Sequence, residues 1–152
     1  MLARLPRHIA ERELNVIGRM LNLGGDSLKV KEVPDSHGPG NVVVIEVRAA
    51  HLTEVFTAFG QRGVRAEDVA AEAARQAQQY LAADVPVGEH LADQLLLPLA
   101  LAGGGAFRTT ALSLHAQTNM EVVRRFLDVD FQIERDLAGG IVLRVNRLSG
   151  KA

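Results

Sequence analysis

The chain has 152 residues, no cysteine, no tryptophan, one tyrosine and a formal net charge of −1. Its length makes one domain or two small ones with a real hydrophobic core, and the missing thiols exclude disulfides and thiolate metal sites. The near-neutral charge excludes a global basic field for nucleic acid, the scarce aromatics argue against a stacked-ring surface for single strands, and no apolar run reaches the ~18 residues of a membrane span. A local basic patch could still hold a short RNA end. Residues 1–6 lack the apolar region of a signal peptide, and absent cysteine suits a reducing compartment, so a cytoplasmic location is expected.

In chain order, residues 6–21 predict an amphipathic helix. Pro6 suits its first turn, and Ile9, Leu14, Ile17 and Leu21 form the apolar stripe, with Arg7, Glu11 and Arg12 outside it. Gly24 and Gly25 are expected to close it. Residues 28–33 alternate as a strand, 34–41 (PDSHGPGN) are turn chemistry, and 42–47 are a β-branched strand. Residues 53–59 fit strand and helix equally well. Residues 66–81 predict a strong helix with Val69, Ala73, Ala77 and Tyr80 near one face.

Pro86 and Gly88 break the pattern over 82–88, so a boundary is expected there. A helix over 89–102 follows, with Pro98 as a kink, and Gly103–Gly105 as its stop. Residues 106–114 read as a strand. Thr118-Asn119-Met120-Glu121 has capping-box form, which predicts a helix opening there and running to Leu127. Strands over 129–135 and 141–147, joined by a turn at Gly139-Gly140, close the chain before a fraying tail at 148–152. The expected class is α+β: two small α/β-sandwich-like units, residues 1–83 and 84–152. The second is small enough that its core is expected to need support from elsewhere.

Two clusters could carry chemistry. In Glu89-His90-Leu91-Ala92-Asp93-Gln94, a helix puts Glu89 and Asp93 on one face and pairs His90 with Gln94. Two carboxylates at that spacing repel weakly, so they either hold a cation or are merely a solvated, dipole-favoured helix start. His115 lies between a predicted strand and a capped helix. A neutral imidazole beside a helix N-terminus, with its unpaired N–H groups, can attack a phosphorus atom; the alternative is a packing histidine in a loop. His8, His37 and His51 have no ligand spacing. Gly103–Gly105 follows a helix and matches no phosphate-loop pattern. Arg124 and Arg125 could meet RNA phosphates or line a solvated helix face.

Four segments carry a resemblance beyond spacing. They are Leu5-Pro6-Arg7-His8-Ile9-Ala10-Glu11-Arg12-Glu13-Leu14, Gly38-Pro39-Gly40-Asn41, the stretch GEHLADQLLLPLALAGGG from Gly88 to Gly105, and His115-Ala116-Gln117-Thr118-Asn119. In order and spacing they resemble the RNA 3'-terminal phosphate cyclases, over nearly the whole chain. HLADQLLLP and HxxTN are the specific parts.

The resemblance implies an ATP-dependent enzyme, with a divalent metal (Mg or Mn), that closes an RNA 3'-phosphate to a 2',3'-cyclic phosphate. The histidine of HxxTN would become adenylylated, which falls on His115. The aspartate and glutamine of LADQ would lie in the nucleotide site, which falls on Asp93 and Gln94; no metal ligand can be assigned. Residues 1–83 would be the family's insert domain without its first strand, and 84–152 the last repeat of its large domain. The family's N-terminal half, with its glycine-rich segment, metal-binding glutamate and active-site arginines, has no counterpart here. A weak or inactive chain is therefore expected by itself, with RNA 3'-phosphate ends and either a separately encoded N-terminal half or a second copy of the chain as partners. A non-catalytic scaffold or relict fragment is the alternative.

Overall fold

A computed structural model describes residues 1–137 and 139–148. The chain divides into two compact units, Met1–Gln79 and Tyr80–Ala152. Each is a three-stranded antiparallel sheet with helices, an α+β arrangement.

The first unit runs β1 (Leu2–Ala3), α1 (His8–Leu21), a 3-10 turn (Gly25–Ser27), β2 (Gly40–Arg48), β3 (Thr53–Phe59) and α2 (Ala66–Ala82), the last turn of α2 passing its boundary. The sheet order is β1-β2-β3. The segment that fitted strand and helix alike is a strand. Glu54, Phe56 and Ala58 point inward, alternating with exposed Thr53, Val55, Thr57 and Phe59, and pairing runs from Val42↔Phe59 to Arg48↔Thr53. The period of two satisfies both the ladder and the core.

Several expectations need correction. The stripe of α1 is rotated: Ala10, Glu13, Val16 and Ile17 are buried, whereas Ile9, Leu14 and Leu21 are half-buried. The helix ends at Asn22, in the left-handed conformation at φ 53°, with its N–H on the Gly18 carbonyl. An asparagine tolerates that conformation, so Gly24 and Gly25 are not needed as the stop. A strand does precede Leu5: Leu2–Ala3 pairs with Asn41 and Gly40, and Leu2 is buried. Because β1 has only two residues, the predicted strand over 28–33 finds little to pair with. It forms a single parallel bridge, Leu2↔Glu32.

α2 packs with alanines. Ala66, Val69, Ala70, Ala73, Ala74 and Ala77 are buried, while Tyr80 is half-buried and donates its hydroxyl to the Pro86 carbonyl. Small side chains let a helix approach its neighbours closely. Arg12 grips Glu67 through two hydrogen bonds of 2.8 and 2.6 Å, and Gln78 donates to the Met20 carbonyl at 2.6 Å, so both ends of α2 are tied to α1 or its C-terminus.

Glu13, like Glu54, is a buried acidic residue of this unit. Its carboxylate accepts a very short hydrogen bond from the Asn41 side chain, and burial raises it above the ordinary carboxyl value of 4.5. The folded state therefore keeps this proton to a higher pH than the unfolded chain does. The stability from protonated Glu13 is complete below about 4.5 and declines as pH rises through the raised folded value. Glu13→Gln keeps an acceptor for Asn41 and removes the titration. Its melting temperature should match the unmodified chain in acid and exceed it at neutral pH; a variant that loses ground as pH rises would contradict this.

The second unit runs α3 (Glu89–Leu101), β4 (Gly104–Thr109), α4 (Leu114–Phe126), β5 (Val129–Arg135) and β6 (Ile141–Arg147), with sheet order β4-β6-β5. Leu96 and Ala100 of α3 and Ala116, Met120 and Val123 of α4 share one core with Val129, Phe131, Leu143 and Val145 of the sheet. All four sheet residues are at odd positions, so both helices cover one face. Arg144, Asn146, Gln132 and Glu134 are exposed on the other.

Here too the boundaries shift. β4 begins at Gly104, two residues before the predicted strand, and ends at Thr109, well short of 114. Gly103, at φ 87°, stops α3, but Gly104 and Gly105 belong to the ladder at φ 144° and 156°. A Cβ on Gly105 would lie 2.6 Å from Leu99 Cδ2, and one on Gly104 would lie 2.9 Å from the Val145 carbonyl oxygen. The glycines thus end a helix and seat a strand against it. The turn at residues 136–140 is held by Asp136 N–H on the Gly140 carbonyl, Gly139 N–H on the Asp136 carbonyl and Gly140 N–H on the Asp136 carboxylate. Leu148 N–H donates to the Asp128 carbonyl; the rest of the expected frayed tail lies outside the described residues.

Candidate active site

The predicted site residues fall in the second unit, on α3 and α4. Asp93 and Gln94 are in the second turn of α3, Asp93 half-buried and Gln94 exposed. Pro98 lies inside the same helix and has no N–H to offer the Gln94 carbonyl one turn back. Glu89 and His90, at the start of α3, are exposed.

His115 is not in a loop. α4 opens five residues earlier than the capping-box pattern predicts, with Ser113 as its cap at φ −61° and ψ 163°. The Ser113 hydroxyl accepts from the Ala116 N–H at 3.0 Å, and its carbonyl accepts from Gln117 N–H. The Gln117 side chain reaches back to the Leu112 carbonyl at 3.1 Å. His115 is therefore the second helical residue, exposed, in the turn whose N–H groups have no helical partners. Thr118-Asn119-Met120-Glu121 lies inside the helix. Ser113 competes for the cap with a β-region backbone already in place and an apolar residue after it, and it adds a full turn.

That added turn sets the geometry. Asn119 is four residues from His115, so the two share a face of α4. Asn119 is half-buried and donates its side-chain amide to the Asp93 carboxylate at 3.1 Å and to the Asp93 carbonyl at 3.4 Å. One asparagine thereby joins the LADQ segment to the helix that carries the histidine. The residue reading passed over this link, and the TN of HxxTN was its only signal. Ser113 was likewise legible only as a polar residue before the helix.

The arrangement can present an imidazole to an electrophile at a helix N-terminus, a terminus that favours phosphate. One half-buried carboxylate, Asp93, is held by the Asn119 amide, one turn along the same helix from His115. Ser113→Ala should cost about 1 kcal/mol, the usual worth of such a cap. Thermal unfolding of the variant measures this; an unchanged midpoint would show that Ser113 does not hold the turn.

Arg124 spends its donors on Glu121 at 2.6 Å, Asp130 at 3.2 Å and the Phe131 carbonyl at 3.0 Å, and it lies 5.5 Å from the Phe131 ring centre. Its guanidinium is thus held within the second unit. Arg125 is exposed. His8, His37 and His51 are exposed in the first unit. Among the described residues no group of three or more His, Asp or Glu side chains could hold a metal ion, and no helix is long and apolar enough to cross a membrane.

Comparisons with known proteins follow the two units. A family model described as the RNA 3'-terminal phosphate cyclase (RTC), insert domain, matches residues 1–82. Three similar relatives carry the name RNA 3'-terminal phosphate cyclase. That of Koribacter versatilis is 51% identical over 136 residues, covering 90% of this chain and 38% of the relative. That of Ectopseudomonas mendocina is 45% identical over 150 residues, covering 99% and 43%. That of Pseudomonas fluorescens is 48% identical over 127 residues, covering 84% and 37%. The chain thus spans about two fifths of the length of these curated relatives.

Proposed function

The chain belongs to the RNA 3'-terminal phosphate cyclase family, and from that premise we propose that it carries the nucleophile-bearing part of an ATP-dependent, cytoplasmic RNA 3'-phosphate cyclase. The observation that supports this most is the Asn119–Asp93 hydrogen bond, which joins the LADQ and HxxTN segments.

In this reading a nitrogen of His115 bonds to the α-phosphorus of ATP as the α–β anhydride bond breaks, and pyrophosphate leaves with the bonding electrons. The RNA 3'-phosphate then attacks the same phosphorus, the nitrogen–phosphorus bond breaks, and AMP passes to the RNA end. The vicinal 2'-hydroxyl loses its proton, attacks the 3'-phosphorus and expels AMP, leaving the 2',3'-cyclic phosphate. His115 supplies the nucleophile, and the N-terminus of α4 favours the phosphate it attacks. Asp93 and Gln94 bind the nucleotide. A divalent metal, Mg or Mn, would offset the charge of the triphosphate. The described residues do not form a ligand set for it, so no step is assigned to it.

The share of the relatives' length covered here, with the lack of that ligand set, favours a second reading as well: a non-catalytic member that acts only with the remaining three fifths of such an enzyme. RNA ending in a 3'-phosphate separates the two. Conversion to a phosphatase-resistant cyclic end is expected when the chain is mixed with the portion of the Koribacter relative that lies outside the match, and little by the chain alone. No conversion in either case, from folded proteins, would overturn the enzymatic reading.

A further inference from the structure

A cavity of about 610 Å³ in the first unit is lined by none of the residues discussed for catalysis. Such a volume suits a small ligand. Its walls are apolar, with Leu5, Ile9 and Val69 among them, and its polar lining includes buried Glu13 and half-buried Asn41. Arg12, Arg62 and Arg65 also line it.

Local chemistry builds this cavity. Gly60 follows β3, and a Cβ there would fall 1.6 Å from the Asn41 side-chain oxygen. The glycine therefore lets Asn41 lie across the chain and reach Glu13. Gly63, at φ 85°, turns the segment that separates Arg62 from Arg65. Glu67 takes both hydrogen bonds of Arg12 and lies 3.6 Å from Arg65. Arg62 is exposed and has no acidic partner among the described residues. Three guanidinium groups face at most two carboxylates, so the cavity carries surplus positive charge beside apolar walls.

We propose that this cavity binds one unpaired nucleotide of an RNA strand, its base against the apolar walls and the Glu13–Asn41 pair, its phosphate at Arg62 and Arg65. The carboxyl and amide offer a donor and an acceptor to a base edge, the recognition used for splayed-out bases. Arginine serves both halves of such a ligand, pairing with phosphate and stacking on a base plane. Little aromatic surface is required. The choice of RNA rests on the cyclase reading; the phosphate-ester chemistry does not.

The test is fluorescence anisotropy of the full chain with a labelled single-stranded RNA ending in a 3'-hydroxyl, which bypasses cyclisation. Arg62→Gln/Arg65→Gln should weaken binding roughly tenfold and lower the salt slope by about 0.7, the contribution of one single-strand phosphate. Arg62→Gln breaks no ion pair, so it reports on binding even if the double variant unfolds. Arg19→Gln/Arg75→Gln, away from the cavity, should bind as the unmodified chain does. Equal losses from both pairs, or none from the first, would overturn the proposal, as would competition by free AMP as effective as that by RNA. The probe's 3'-hydroxyl end cannot be cyclised, so this binding is read without the reaction, and failure of the cyclase reading and failure of the cavity give different results.

Discussion

His115→Ala is expected to take up no label from α-labelled ATP and a divalent metal, under conditions where the unmodified chain, with the remaining portion of a relative supplied, becomes adenylylated. The adjacent residues Leu114 and Ala116 carry no nucleophilic atom, and the nearby Ser113 hydroxyl is engaged as the helix cap. Removing such a group typically costs about a million-fold in turnover, which places the variant at background. The bond to phosphorus is a phosphoramidate, so the label on the unmodified chain should be lost in acid and survive base. His37→Ala, altered in an exposed turn of the first unit, should label normally. The outcome that sinks the assignment is label persisting on His115→Ala, because another residue would then be the acceptor. α4 should survive the substitution, since its cap is Ser113 and its anchors are Ala116, Met120 and Val123. A circular dichroism spectrum like that of the unmodified chain is therefore expected with it.

Leu143→Ala is expected to cost about 2–5 kcal/mol, the range for truncating a buried leucine. Leu143 is completely buried at the centre of the middle strand, paired with Phe107 on one side and Ile133 on the other. It shares the core with Leu96 of α3 and Met120 of α4, the two helices that carry the candidate site. No neighbour can fill the gap without moving a strand that is paired along both edges. For a unit of this size each kcal/mol moves the midpoint by about 4–8 °C, so a drop of about 8 °C or more is expected. Denaturant unfolding followed by circular dichroism measures it. A shift under about 1 kcal/mol would show that this core is looser than its packing indicates.

The periodic elements were legible. Alanines at helical spacing in α2 and β-branched alternation in β2, β5 and β6 depend on neighbours in sequence, and their bounds hold to within two residues of the expected ones at the described positions. The motif residues were legible too, because HLADQ and HxxTN are specific strings. Segments whose state depends on a partner were not. Residues 28–33 have strand chemistry but meet a two-residue β1, so the ladder that would make them a strand is absent. Residues 53–59 have equal claims to two states until β2 supplies hydrogen bonds along their length.

The candidate site divides in the same way. The sequence by itself determined the types and order of its residues: an imidazole, a carboxylate and an amide on apolar-backed helices. Only the tertiary structure decided that Ser113 rather than Thr118 caps α4, that His115 lies in its first turn, and that Asn119 reaches Asp93 across 26 residues of chain. A cap is a competition among neighbouring polar residues, decided by which backbone already has the flanking conformation. A hydrogen bond between distant residues exists only once a shared core brings their helices side by side.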